Sequence, residues 1–319
     1  MGPAHSRGPL RLRGVEPVWT GGGPGMSLRV DAHLHVWVQQ PDRYPWQPTL
    51  GYIPTSHAPV EEFVALMDRY GLDYAVLVQP SPYGWDNSYL VDSLKKYPDR
   101  LVGVCLVDPL SPEAPERLRY WVTVHGVRGL RLNPIGDPEG RWLNAPTQDP
   151  LWATAAELGI PICIQLLPHQ APMVADMARR HPRVAVIIDH FGRPRLDDGP
   201  DYPHYQAVLA LAEYPNVFLK FSGLHHLSRE GYPYRDTYPL VERAFRAFGA
   251  RRMLWGSDYP GILRAEYPGL AGRQGITYEQ ALRLLPDHIP FLTADDLDWI
   301  MGETAAHLWG LGGRPRWRG

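Results

Sequence analysis

His33 and His35 stand two residues apart in "LRVDAHLHVW", at the end of an apolar run. Imidazoles at that spacing on a strand share a face. There they can ligate a metal, hold a substrate carbonyl, or sit inertly in a core. The chain has 13 histidines in 319 residues, and chance alone supplies roughly half an H-x-H at that frequency. The pair therefore needs partners. His190 in "VIIDHFGRP" and Asp258 in "WGSDYP" each end another apolar run and are the first candidates. Arg131, Arg128, Arg193 and Lys220 add cations that could clamp an acidic group.

These residues are useful only if the chain brings them together, and its pattern supplies a way. Short apolar runs alternate with segments of helical periodicity. Strands are expected at 28–36, 74–80, 101–109, 127–134, 160–166, 184–192, 217–224 and 253–260. Helices are expected at 59–71, 87–98, 112–126, 149–159, 171–182, 205–215, 238–249 and 293–310. Strands apolar throughout belong to a parallel sheet covered on its faces. Eight strand–helix units in succession predict the α/β class and a (β/α)8 TIM barrel. An open doubly wound sheet is the alternative, but no G-x-G-x-x-G follows the first strand.

Function in such a barrel gathers at the C-terminal ends of the strands. Every predicted strand ends in a polar residue: Asp31, His33 and His35; Gln79 and Ser81; Asp108; Arg128, Arg131 and Asn133; Gln165; Asp189 and His190; Lys220 and Ser222; Ser257 and Asp258. Burying so many polar groups is costly unless they are paired or used, so the pattern argues for an active site. Alternation points Asp31, His33 and His35 into the barrel together. It puts Arg131 and Asn133 on one face and Arg128 on the other, unless the strand bulges at Gly129.

Composition excludes several classes. Net charge is −2, and no basic run marks a nucleic-acid or membrane partner. A small-molecule substrate is expected, with a homo-oligomer as a further possibility. No apolar stretch is long enough to span a bilayer or to serve as a signal peptide, so the reading is cytoplasmic. Residues 1–25, rich in Gly, Pro and Arg, are expected to be a disordered leader, with Met26 as the natural start and residues 26–319 as one catalytic barrel domain. Cys105 and Cys163 lie in strand-like runs and read as small buried hydrophobes.

The elements "DAHLH", "IIDHFGRP" and "WGSDYP" resemble the amidohydrolase superfamily in order and spacing. "QPSPYGWDNSYLVD", "GVRGLRLN", "LKFSGL" and "DLDWIMGETAAHLWGL" resemble its branch of 2-pyrone-4,6-dicarboxylate lactonases and L-fucono- and L-rhamnono-lactonases. The resemblance covers residues 28 to 311. It implies hydrolysis of a lactone carrying a carboxylate. One departure stands out. Metal-dependent members supply a histidine from strand 5, and here that position is Gln165, a poor ligand for zinc. The lysine that bridges two metals is missing from strand 4 as well. A metal-free site is favoured, with one divalent ion, zinc, on His33, His35, His190 and Asp258 as the alternative.

In the metal-free form Asp258 is the general base, and His33, His35 and His190 stabilise the oxyanion. Arg131 is the first choice for the substrate carboxylate, with Arg128, Arg193 and Lys220 behind it, and Gln165 and Ser81 complete the contacts. Trp46 and Tyr52, in the long segment after strand 1, are expected to line a lid; Trp85 and Asn87 are similar candidates after strand 2. His225 and His226, after strand 7, read as pocket wall or surface, with a part in the chemistry as the alternative. Three rivals remain: a metal-dependent decarboxylase, an amide or other ester hydrolase, and a barrel that only binds.

Overall fold

Eight parallel strands pair in chain order, β1 to β8, as expected of a barrel. They are β1 (Val30–Leu34), β2 (Tyr74–Val78), β3 (Leu101–Leu106), β4 (Leu130–Leu132), β5 (Ile162–Ile164), β6 (Val186–Ile188), β7 (Val217–Phe221) and β8 (Met253–Trp255). The computed structural model describes residues 27–48, 52–137, 139–199, 201–263, 275–317 and 319. The expected leader, 1–25, and Met26 lie outside them.

The described helices are α1 (Val60–Tyr70), α2 (Ser88–Lys96), α3 (Ala114–His125), α4 (Asp149–Leu158), α5 (Ala171–Arg180), α6 (Gln206–Leu209), α7 (Leu224–Leu227), α8 (Tyr238–Phe248), α9 (Tyr278–His288), α10 (Ala294–Asp298) and α11 (Thr304–Trp309). Their sequences explain them. α1 buries Val60, Phe63, Val64 and Met67, one stripe at helical spacing. α9 starts at a capping box: Thr277 Oγ1 accepts from Gln280 N, and Gln280 Oε1 accepts from Thr277 N. α6 is much shorter than the predicted 205–215 helix, because the chain tightens into a 3-10 turn at Ala210–Glu213. No described helix is long and apolar enough to cross a membrane.

Two apolar cores follow from strand alternation. Val30, Ala32, Val76, Val78, Val102, Val104, Cys163, Ile187, Phe218 and Leu254 fill the barrel, and Ala305, Leu308 and Trp309 of α11 join them. Trp309 Nε1 also donates to Arg128 O at 3.1 Å, so α11 closes the N-terminal end. The alternate residues, such as Leu77, Cys105, Leu130 and Ile188, face the helices. Both cysteines are free and buried, and burial pushes their thiols up, to about 12 for Cys105 and about 11 for Cys163. They are core residues, as read.

The barrel closes between β1 and β8 at its catalytic end. Asp258 N donates to His33 O at 2.8 Å, and His35 N donates to Tyr259 O at 2.7 Å. The closing seam thus places Asp258 beside both histidines.

Candidate active site

β1 does not alternate as simple parity predicts. Its register shifts between Asp31 and Leu34, a bulge. Asp31 therefore leaves the barrel interior. Its carboxylate accepts from Tyr278 Oη at 2.7 Å, Ser257 N at 2.9 Å and His33 N at 3.2 Å. Burial raises its pKa to about 6, against the lowering pull of these bonds. Asp31 is a strut between β1, β8 and α9. The bulge turns His33 inward with His35. Gly256 makes room for it: a Cβ there would lie 2.5 Å from His33 Cβ.

Asp258 is the hub. Its Oδ2 accepts from His226 Nε2 at 2.9 Å and lies 3.3 Å from His225 Nε2. Its Oδ1 faces His33 Nε2 and His35 Nε2, each at 3.6 Å. That is too long for a direct hydrogen bond, so this oxygen is not satisfied by either imidazole. Burial alone would raise the Asp258 carboxyl. His190, then the bonds from His225 and His226, outweigh burial and hold it well below the usual carboxylate range. Asp258 also takes φ +61, and His190, Phe191 and Arg193 take φ +52, +54 and +52. Left-handed backbone at bulky residues persists only where surroundings enforce it, and it clusters at functional sites.

The histidines are not equivalent. His35 Nδ1 lies 2.8 Å from Val78 O. A carbonyl only accepts, so Nδ1 carries the proton and Nε2 presents a lone pair toward Asp258. That corrects the expectation that His35 donates to an oxyanion. His33 Nδ1 lies 2.9 Å from Lys220 Nζ. An ammonium only donates, so the proton of His33 sits on Nε2, which has no other partner among the described residues. His190 Nδ1 is 2.9 Å from Ser222 Oγ. Burial, then Lys220, lowers His33 to about 4; burial, then His33, lowers His35 to about 3; burial takes His190 well down. All three are neutral at pH 7.

Beneath them lies a buried charge network. Asp189 Oδ1 pairs with Lys220 Nζ at 3.0 Å, and its Oδ2 accepts from Arg131 Nε at 3.0 Å. Arg131 Nη2 donates to Gln165 Oε1 at 2.9 Å. Arg131, Gln165 and Lys220 are thus engaged with protein, and Gln165 holds Arg131. Arg193 is half-buried; burial lowers its pKa, and the charge of Asp258 is the strongest pull the other way. Ser81 Oγ accepts from Asn133 Nδ2 at 3.2 Å, above β2 and β4.

Other predicted residues fall elsewhere. Arg128 precedes β4, at the opposite end of the barrel, beside Tyr74. It is not brought to the site; the bulge sits in β1, and β4 pairs in regular register with β3 and β5. Trp46 stacks on Tyr83, with centroids 4.5 Å apart and planes 9° apart, and so braces the β1 and β2 loops. Tyr52 is half-buried in the same segment. Asn87 holds Leu106 through both its amide atoms, a structural role. Trp85 lines a cavity of about 310 Å³ with Asp108, Arg117 and Trp121, which contains none of the histidines. His225 and His226, read as pocket wall or surface, are part of the hub. Two histidines directly after strand 7 were the signal.

A metal was the alternative, and ligand atoms do converge. The sets His33, His35, Asp258; His33, Asp189, His190; and His225, His226, Asp258 each lie within 4.8 Å of one another. Their hydrogen bonds fit an ion poorly. His33 aims an N–H at Asp258, His226 spends its N–H on that carboxylate, and Asp189 Oδ1 is taken by Lys220. A ligating imidazole needs a lone pair on the metal side and an acceptor behind it. His35 meets both conditions, and His33 and His226 do not.

The family model for amidohydrolases matches residues 30–311. The chain belongs to the amidohydrolase family. An L-fucono-1,5-lactonase from Burkholderia ambifaria is 33% identical over 244 residues, 74% of this chain and 81% of that protein. A structure from Pseudomonas putida, assigned as a 2-pyrone-4,6-dicarboxylic acid hydrolase, superposes with TM-score 0.72 and 26% identity, covering 89% of this chain and 98% of the other. A zinc-bound amidohydrolase from Burkholderia multivorans shares the fold, with TM-score 0.71 and 24% identity, covering 89% and 99% of the two chains. The amidohydrolase described here is an enzyme, a hydrolase by its family and relatives.

Proposed function

We propose that this amidohydrolase opens a lactone by direct attack of water, without a metal, and that the substrate is a small carboxylated lactone. The observation that carries the reading is the division of labour around Asp258. His226 fixes one carboxylate oxygen at 2.9 Å, and the other faces His33 and His35, each at 3.6 Å, without a hydrogen bond from either. A water held beside that second oxygen meets two acceptors, Asp258 Oδ1 and the lone pair of His35 Nε2. A lactone carbonyl beside it meets a donor, His33 Nε2–H, with His190 flanking. The relatives' names, an L-fucono-1,5-lactonase and a pyrone dicarboxylic acid hydrolase, support the substrate class.

The chemistry balances with these groups. Water oxygen bonds to the carbonyl carbon as Asp258 Oδ1 takes its proton. The carbonyl electron pair moves onto oxygen, where His33 stabilises it. Such a donor, preorganised in a buried site, is worth a few kcal/mol. The tetrahedral intermediate collapses, the ring C–O bond breaks, and the leaving oxygen takes the proton back from Asp258. The product is the open-chain hydroxy acid, or its enol from a pyrone ring. With Arg131 engaged by Asp189 and Gln165, Arg193 is the better-placed anchor for a substrate carboxylate.

A panel of carboxylated pyrones and sugar lactones, assayed on protein of measured metal content, tests the reading. Turnover should survive chelation. Asp258→Asn should lower kcat by about 10²–10⁴ with little change in KM. An Asn variant at full activity would remove Asp258 as the base, and activity that tracks added zinc would overturn the metal-free attack.

A further inference from the structure

Lys220 is fully buried on the inner face of β7. Its Nζ touches His33 Nδ1 at 2.9 Å, Asp189 Oδ1 at 3.0 Å and Cys163 Sγ at 3.6 Å. A lysine ammonium has three donors and no acceptor. The atom behind His33 is therefore the opposite of what a metal ligand requires, where the rear nitrogen donates to a carboxylate, carbonyl or water. Asp189 is the more distant candidate for that place: its nearer oxygen is 3.5 Å from His33 Nδ1, against 2.9 Å for Lys220 Nζ. Arg131 on the other oxygen keeps the carboxylate ionised and the ammonium in position.

We infer that Lys220 is a positioning residue which holds His33 as its Nε2–H tautomer, and that this one contact keeps His33, His35 and Asp258 from binding a divalent ion. The ligand atoms themselves are already gathered within 4.8 Å. Only the proton on His33 stands in the way. Remove the ammonium, and Asp189 Oδ1 loses its partner and becomes the acceptor for a His33 Nδ1–H. His33 Nε2 then offers a lone pair, and two imidazoles with one carboxylate make a three-ligand zinc site with an open position.

The test has two arms. In the first, wild-type protein and Lys220→Met are incubated with zinc chloride, desalted, and measured for bound zinc per chain. The variant should retain close to one equivalent and the wild type at least tenfold less. In the second, nitrogen-15 NMR of the wild type, with His33 assigned by its loss in His33→Asn, should show a protonated Nε2 and a bare Nδ1. This arm stands even if Lys220→Met fails to fold. A stoichiometric zinc on the wild type, a protonated Nδ1 on His33, or a folded Lys220→Met that takes up no more zinc than the wild type overturns the inference. The inference shares His33 with the lactonase reading, but neither arm measures turnover, so the two can fail separately.

Discussion

The residue that decides the inner site is Asp189. It neutralises Lys220 and Arg131 at once, each at 3.0 Å, with no exposure of its own. Burial would raise its carboxyl, but Lys220, then His33 and Arg131, hold it well below the usual range. Replacing it with asparagine leaves two buried cations without a counter-charge. Breaking one side of a buried pair costs about 3–5 kcal/mol, so Asp189→Asn should lose that much stability in urea unfolding. A loss below about 1 kcal/mol, the range of exposed pairs, would mean that water reaches the network. At this scale much was legible in the sequence. His33, His35, His190, Asp258, Arg131 and Lys220 were all singled out, because each interrupts an apolar run at the end of a strand. Their hydrogen-bond senses were not. Whether a histidine donates or accepts depends on the atom behind it, Val78 O for His35 and Lys220 Nζ for His33, and that atom lies on another strand.

Elements convert those residues into a site, and β1 is the one whose detail matters most. Strict alternation would send Asp31 inward with the histidines. The bulge sends it outward instead, onto Ser257 N and Tyr278 Oη. Asp31 so ties the segment carrying Asp258 to β1 and anchors α9. Tyr278 itself lies among Phe63, Tyr70, Trp255 and Tyr259. Tyr278→Phe keeps that packing and removes only the hydroxyl. It should destabilise by about 1–3 kcal/mol, the cost of an unsatisfied buried acceptor, and lower kcat more than it alters KM as the Asp258 segment loosens. Thermal unfolding with steady-state kinetics checks both, and an unchanged melting temperature would show that Asp31 does not need Tyr278. The elements were easier to read than their faults. Eight strands were found because each is continuously apolar. The bulge was missed because it changes no residue's type, only its phase. Helix α9 lies between the eighth predicted strand and the predicted closing helix, outside the eight repeating units, although "TYEQALRLL" carries a capping box and an apolar stripe. Arg128 was drawn into the predicted strand 127–134, whose observed hydrogen-bonded part is Leu130–Leu132, and so it was placed at the wrong end.

At the scale of the whole molecule, an apolar barrel carries a cluster of buried histidines and aspartates at one end, and this governs its response to acid. Burial, the largest cause in each case, lowers His33 to about 4, His35 to about 3 and His225 to about 4, and takes His190 well down. In the unfolded chain these groups protonate near 6.5. As the pH falls from about 6.5 to about 4, protons load onto the unfolded chain and not onto the folded one. Each such histidine removes about 1.4 kcal/mol per pH unit inside its window. Asp31 acts in the opposite sense. Its folded pKa of about 6 lies above the unfolded value of 3.8, so the folded chain takes that proton first and gains stability as the pH drops between those limits. One aspartate is set against four histidines. Asp189 and Asp258, both depressed, keep their stabilising charge until the pH falls below the unfolded value near 3.9 and lose it only as it passes through their own lower pKa. The sum is a melting temperature that falls steadily from pH 6.5 toward 4. Calorimetric scans across that range check it. A flat profile would mean that the histidine cluster takes up protons while still folded, and that the site is wetter than its burial implies.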